Sequence, residues 1–226
     1  MTYYIGFGKD CYVADFMENS GMRSFSFPFD WIFAFPCTIK ESLDKNFEDW
    51  LDPKYLTNVY NPNRNPEWDR LVSTSHCLYN AHMEELDMLY SDDRHAFFNH
   101  HDVLSEEGRA LFERRIQRYK NVIASSEDIV FITNSSVNSF IEVGLLDYYK
   151  DRNAKTTVIF LNPVYSKETG IKYKNYDSHH VVTYSTKHNT KEIAKQICQK
   201  LEKHFGKANL KDPIGLKISG EYEVSS

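Results

Sequence analysis

The feature that most constrains this chain is Asp128-Ile129-Val130-Phe131-Ile132-Thr133-Asn134, a short run with almost no polar interruption. Such a run reads as a strand buried on both faces. Helical patterns stand on either side of it. Ser105 caps a long helix whose Phe112, Ile116, Tyr119 and Ile123 share one face, and a second helix follows through Phe140, Val143, Leu146 and Tyr149. Next come a strand from Thr156 to Leu161, closed by Asn162-Pro163, a Tyr/Lys-rich loop, and a last strand from His180 to Tyr184. A capping box at Asn189-x-x-Glu192 opens a final helix through Ile193, Ile197 and Leu201, stopped by Gly206. The N-terminus adds a strand over Tyr3 to Phe7 and a helix through Val13, Phe16 and Met17 that ends at Gly21. Strand and helix alternating in this way predict an α/β fold: a mostly parallel sheet with helices on both faces, a Rossmann-like or Ser-Gly-Asn-His-like sandwich. The expected organisation is one domain over residues 1–206 and a polar C-terminal tail over 207–226.

Between these units the pattern is weaker. Thr38-Ile39-Lys40-Glu41 reads as a capping box opening a helix through Leu43, Phe47 and Trp50, stopped by Asp52-Pro53. Residues 54–70 read as irregular, with a surface loop at Asn61 to Pro66. In the ambiguous stretch from Leu71 to Asp93, Leu71-Val72 and Leu78-Tyr79 fit short strands, and Met83, Leu86 and Leu89-Tyr90 fit a short helix. His95 to Asp102 is expected to be a strand ending in a polar knot.

Composition excludes several function classes. With 41% apolar and 26% charged residues the chain is an ordinary globular one, and a net charge of −5 supplies no basic excess for nucleic acid. No apolar run is long enough to span a bilayer, and no secretory signal pattern opens the chain. The four cysteines, Cys11, Cys37, Cys77 and Cys198, lack C-x-x-C spacing, so neither a zinc ribbon nor a disulfide framework is expected. A cytoplasmic setting follows as the default expectation.

Chemistry concentrates at Cys11, where the first strand hands over to a helix N-terminus. Backbone N–H groups there favour a thiolate and could hold an oxyanion formed during acyl transfer. A thiol nucleophile needs a base, and a third group to orient that base. His101, at an expected strand end and followed by Asp102, is the first choice of base, and His100 is the second. Asp30, in the aromatic turn Ser26-Phe27-Pro28-Phe29-Asp30-Trp31-Ile32, is the better geometric orienter, with Asp102 the alternative. Asn134, after its strand, could donate to an oxyanion, and Trp31 offers a ring to a ligand. Arg115, with Arg109, Arg114 and Arg118, could form an anion-binding face, although Glu106, Glu107 and Glu113 among them favour a solvated helix. The contiguous His95, His100, His101 and Asp102 face apart and are not taken as a metal site. Asp177-x-x-His180 is similar to the acid-and-base pair of Ser-Gly-Asn-His hydrolases, but an exposed strand start is the preferred reading.

Gly6-Phe7-Gly8-Lys9-Asp10-Cys11, Ala14, Gly21-Met22-Arg23 and Ser26 to Ile32 together resemble the N-terminal signature of the putative papain-like cysteine peptidase family. These are bacterial proteins, some encoded near cell-surface polysaccharide genes. Phe98-Asn99-His100-His101-Asp102, Phe112-x-x-Arg115-Ile116-x-x-Tyr119 and the strand from Asp128 resemble the family more loosely. The resemblance implies a thiol nucleophile at Cys11 with a histidine base. The α/β alternation, rather than the helix-plus-barrel layout of papain, remains the expected fold.

Three functional readings follow. The first is thiol-dependent hydrolysis of a small-molecule, peptide or glycan substrate without a cofactor. The second is a cysteine-dependent acyltransferase acting on a cell-surface polysaccharide, which would need an acyl donor such as acyl-CoA. The third is a non-enzymatic module that binds a carbohydrate or a partner through the aromatic turn.

Overall fold

A computed structural model describes residues 1–60, 72–79, 97–152, 156–165, 170–177, 179–185 and 190–215. Seven strands and six α-helices are placed among them. The strands are β1 (Thr2–Phe7), β2 (Leu56–Tyr60), β3 (Val72–His76), β4 (Asp128–Thr133), β5 (Thr156–Val164), β6 (Ile171–Asn175) and β7 (His180–Ser185). The helices are α1 (Tyr12–Ser20), α2 (Pro36–Asp44), α3 (Glu106–Ile123), α4 (Val137–Glu142), α5 (Leu145–Arg152) and α6 (Thr190–Phe205). The main sheet has the order β1-β4-β5-β7-β6, parallel except for β6. Strands β2 and β3 form a separate antiparallel pair. This is the α/β sheet expected from the alternation. None of the described helices is long and apolar enough to cross a membrane.

The sheet buries both faces, which is why β4 reads as an unbroken apolar run. On one face Val130, Ile132, Ile159, Leu161 and Val182 pack under α1 and α6 through Val13, Phe16, Met17, Ala194, Ile197 and Leu201. On the other, Tyr3, Ile5, Phe7, Ile129 and Phe131 meet Phe112, Tyr119, Phe140 and Tyr149 of α3, α4 and α5. Rings dominate this second core: Trp50 meets Phe29, Phe47, Phe97 and Phe98 edge-on, with centroids 5.0–5.6 Å apart.

Several expectations are corrected. Helix α2 starts at Pro36, suited to a first turn because its missing N–H would be unpaired there anyway. Thr38 is therefore inside the helix, and Glu41 pairs with Lys45 at 2.8 Å instead of closing a capping box. The helix also stops at Asp44, because Asn46 and Phe47 take positive φ and the Phe47 N–H bonds Ser42 O at 2.8 Å. That fold-back swings Phe47 and Trp50 inward, so their helical spacing is coincidental. Leu56 to Tyr60 is a strand rather than part of an irregular stretch. The segment ending at Asp102 is a single bridge from Phe98 to Thr74 followed by a turn in which His100 has φ 67°. The expected helix through Phe140 and Tyr149 is two helices, broken at Gly144 with φ 71°. Strand β6 lies within the stretch read as a Tyr/Lys-rich loop. Expectations for Asn61 to Pro66, Leu71, Met83 to Tyr90, His95 and Asn189 lie outside the described residues.

Residues 207–215 dock along the outer edge of β1. The Thr2 N–H donates to Lys207 O at 3.1 Å and the Asn209 N–H to Thr2 O at 2.9 Å. Arg118 pairs with Asp212, and the Asn121 amide donates to Pro213 O at 2.8 Å. An otherwise open sheet edge is thereby covered.

His76 is fully buried, stacked on Tyr79 at 4.3 Å, with its Nε2–H donating to Asp49 O at 2.9 Å. Burial pushes its pKa below the ordinary 6.5. The unfolded chain therefore binds a proton that the folded one refuses, and stability falls as the pH drops below 6.5 toward the folded value. Urea midpoints measured between about pH 7 and about pH 5 should fall less steeply in His76→Gln than in the unmodified protein. Equal slopes would show that His76 is not the acid-labile group.

Candidate active site

Strands β1 and β4 are parallel neighbours, yet their following helices leave in opposite directions. Helix α1 packs on one face of the sheet and α4 on the other. The loops that follow the two strands therefore diverge at the carboxyl edge of the sheet. Cys11 and Asn134 lie in these two loops.

The loop from β1 into α1 is tightly built. A Cβ on Gly8 would lie 2.5 Å from Asp10 O, so only glycine allows the turn to close. Asp10 Oδ1 accepts the Tyr12 N–H at 2.9 Å and so caps the first turn of α1. Cys11 is the N-cap residue by position, with φ −67° and ψ −8°, but its side chain does not cap. It is half-buried, and its carbonyl accepts the Asp15 N–H at 3.0 Å. Asn134 reaches across from the end of β4: its Oδ1 accepts the Lys9 N–H at 3.1 Å and its Nδ2 donates to Asp10 Oδ1 at 3.0 Å. The backbone N–H of Lys9 can only donate, so Asn134 must face it with oxygen and face Asp10 with nitrogen. Asn134 therefore locks the loop on both sides of its turn. The amide expected to await an oxyanion is engaged in positioning the residue before the thiol.

Asp30 is 1% exposed. Its Oδ2 binds the Arg23 guanidinium and accepts the Phe27 N–H at 2.8 Å. Among the described residues its Oδ1 has no hydrogen-bond partner, and it lies against Gly6 of β1, where a Cβ would come within 2.6 Å of it. Arg23 also donates to Ala14 O at 3.1 Å in α1. Among the described residues, Asp30 thus holds an arginine rather than orienting an imidazole. Asp102 is likewise occupied: its Oδ1 accepts Asn58 Nδ2 at 2.8 Å and the Ser105 N–H at 3.2 Å, tying β2 to the start of α3.

The histidines stand on the α3 side. His101 is half-buried with its ring edge-on to Phe112, centroids 5.1 Å apart. His100 Nε2 is 2.8 Å from Asn99 Nδ2, which makes it the acceptor of that bond. Arg115, read from the sequence as part of a solvated face, is 4% exposed. It lies over the Phe112 ring at 4.7 Å and donates to Asp30 O at 2.8 Å. Burial pushes its pKa down to about 10, with Asp30 opposing the shift. The chain of contacts His101–Phe112–Arg115–Asp30–Arg23–Ala14 thus runs from the histidine pair to the first turn of α1. Trp31, with φ 65°, carries the Arg23 guanidinium 5.9 Å from its ring centre.

Sequence reasoning did not single out Arg23 or Asp10 as structural keys. Arg23 follows a helix stop, where a charged residue reads as surface, and only the buried Asp30 gives it a role.

A model of the family described as putative papain-like cysteine peptidase (DUF1796) matches residues 2–162, well over half of the chain. The chain belongs to this family. No curated protein and no solved structure matches it. The matched span includes Cys11, Asp30, His100, His101, Arg115 and Asn134, whereas β6, β7, α6 and the docked 207–215 segment lie beyond it.

Breaking a buried ion pair leaves the partner charge stranded, which costs about 3–5 kcal/mol. Asp30→Ala should lower the unfolding free energy in urea by about that amount, and Asp30→Asn, which keeps an acceptor for the Phe27 N–H, by less. A loss under about 1 kcal/mol in Asp30→Ala would show that the pair does not hold the turn.

Proposed function

We propose that this protein is a cysteine-dependent acyl hydrolase with Cys11 as the nucleophile, acting on an amide or ester. The observation that carries the reading is that Cys11 stands at the N-terminus of α1, at the carboxyl edge of the sheet, in a loop fixed by Asp10 and Asn134. A reactive thiol needs a fixed position, and this loop supports one. The family's own description supports the same chemistry.

In the proposed reaction a histidine takes the Cys11 proton and the thiolate sulfur attacks the acyl carbon. The carbonyl electron pair moves onto oxygen, and backbone N–H groups of the first turn of α1 are the donors suited to it. Collapse expels the amine or alkoxide, which takes the proton back from the imidazolium and leaves a thioester. Water then gives a proton to the same imidazole, attacks the thioester, and releases the acid and the thiol. His101 is the proposed base. Its ring is held edge-on by Phe112. His100 is the alternative. In this reading Asp30 holds Arg23 and Asp102 holds Asn58, and neither is assigned as orienter.

Cys77 is exposed and gives an internal reference thiol. Under limiting iodoacetamide at about pH 6, Cys11 should alkylate at least about tenfold faster than Cys77, as expected of a thiolate favoured by its site. Equal rates would remove the basis for an activated nucleophile.

A further inference from the structure

The charge of this chain is divided unevenly along its length. Residues 156–215 carry ten lysines, no arginine and five acidic residues, whereas the rest of the chain carries 17 basic and 27 acidic residues. Much of that basic excess is gathered on α6. Ala194, Ile197, Cys198 and Leu201 bury one side of the helix against the sheet, which leaves Lys191, Lys195, Lys200 and Lys203 exposed on the other. The two glutamates of α6 are turned to other groups: Glu192 accepts the Gln196 amide at 3.3 Å and Glu202 the Ala208 N–H at 2.9 Å. Among the described residues no carboxylate pairs with Lys195, Lys200 or Lys203. The basic surface continues onto the edge strand β6, because Lys200 Nζ lies 3.5 Å from the centre of the Tyr173 ring. Lys172 and Lys174 flank Tyr173 and, by strand alternation, carry the charge round to the opposite face of the sheet.

The make-up of this surface narrows what it can hold. Without an arginine it has no planar fork for bidentate capture of a single phosphate or carboxylate. The rings beside the lysines are already covered, Tyr173 by Lys200 and Tyr176 by Lys174 at 4.9 Å and by His179 in a stack at 4.6 Å. They offer no open platform on which a nucleobase can stack. The exposed side of α6 presents lysines and glutamines but no apolar residue, so it lacks the buried anchor that holds a protein partner. What remains is diffuse attraction to an extended anionic surface, to which lysines contribute as separate point charges. The acidic remainder of the chain does not cancel it. Helix α6 has 16 residues and is about 24 Å long. Screening at about 0.1 M salt sets in over about 10 Å. A surface brought up to α6 therefore meets these lysines and not the net charge of −5.

We propose that the exposed side of α6 and the adjoining β6 edge form a docking surface for the headgroup layer of an anionic lipid bilayer. The protein adsorbs there through charge alone and inserts nothing into the hydrocarbon. This surface lies outside the family-matched span and does not depend on the chemistry assigned to Cys11.

Co-sedimentation with vesicles tests the proposal on the full chain. At about 0.1 M salt the protein should bind vesicles of phosphatidylcholine with about 30% phosphatidylserine, and should not bind phosphatidylcholine alone. Each lysine near the surface is worth about fivefold in partitioning, so the triple variant Lys195→Gln, Lys200→Gln, Lys203→Gln should bind about a hundredfold more weakly. All three side chains are exposed, and an unchanged urea midpoint confirms that the variant folds. A control triple with the same change in net charge, Lys40→Gln, Lys45→Gln, Lys54→Gln, should bind as the unmodified protein does. Failure to bind the anionic vesicles, equal binding to neutral ones, or equal loss in both triples would overturn the proposal. Tighter binding to oligothymidylate or to polygalacturonate than to the vesicles would assign the surface to a soluble polyanion, and would overturn it too.

Discussion

The buried pair of Arg23 and Asp30 is the contact on which the rest of this architecture turns. The segment after α1 must pass around the outer edge of β1 to deliver Phe27 and Phe29 into the aromatic core, and Asp30 is its anchor. The carboxylate takes one arginine and one backbone N–H, while the Asp30 carbonyl takes a second arginine from α3. Through Arg23 the anchor reaches the backbone of α1, and through the missing side chain of Gly6 it sits directly against β1. Two charged residues this buried would each be costly alone, and together they tie the turn to α1, β1 and α3.

That anchor leaves the thiol's own surroundings to a second, smaller device. Asn134 bridges the Lys9 N–H and the Asp10 carboxylate, so the loop before Cys11 is set by the end of the neighbouring strand. Pinning a nucleophile's loop to an adjacent strand rather than to a mobile surface segment makes its position a property of the sheet.

Much of this was legible in the sequence because it depends on local pattern. The apolar run of β4, the glycine stop of α1 at Gly21 and the Ser105 cap of α3 are written in residues close to one another. What escaped depends on distant partners. Arg115 looks like one arginine among several on a charged helix, and its acceptor, the carbonyl of Asp30, lies 85 residues away in sequence. Phe47 and Trp50 carry helical spacing, yet positive φ at Asn46 and Phe47 turns them into the core of rings. Strand β6 has no apolar run because it is an edge strand that exposes Lys172 and Lys174. Asp30 reads from the sequence as the orienter of a histidine, since nothing in the local sequence shows that Arg23 folds back onto it.

The central claim is that the Cys11 sulfur forms a covalent bond to an acyl group. Brief exposure of the protein to p-nitrophenyl acetate, an acid quench and peptide mass analysis test this directly. The account predicts an acetyl thioester on the peptide carrying Cys11, formed ahead of any modification at Cys37 or Cys77 and absent in Cys11→Ser. Acetylation spread evenly over the three cysteines, or confined to lysines, would contradict it.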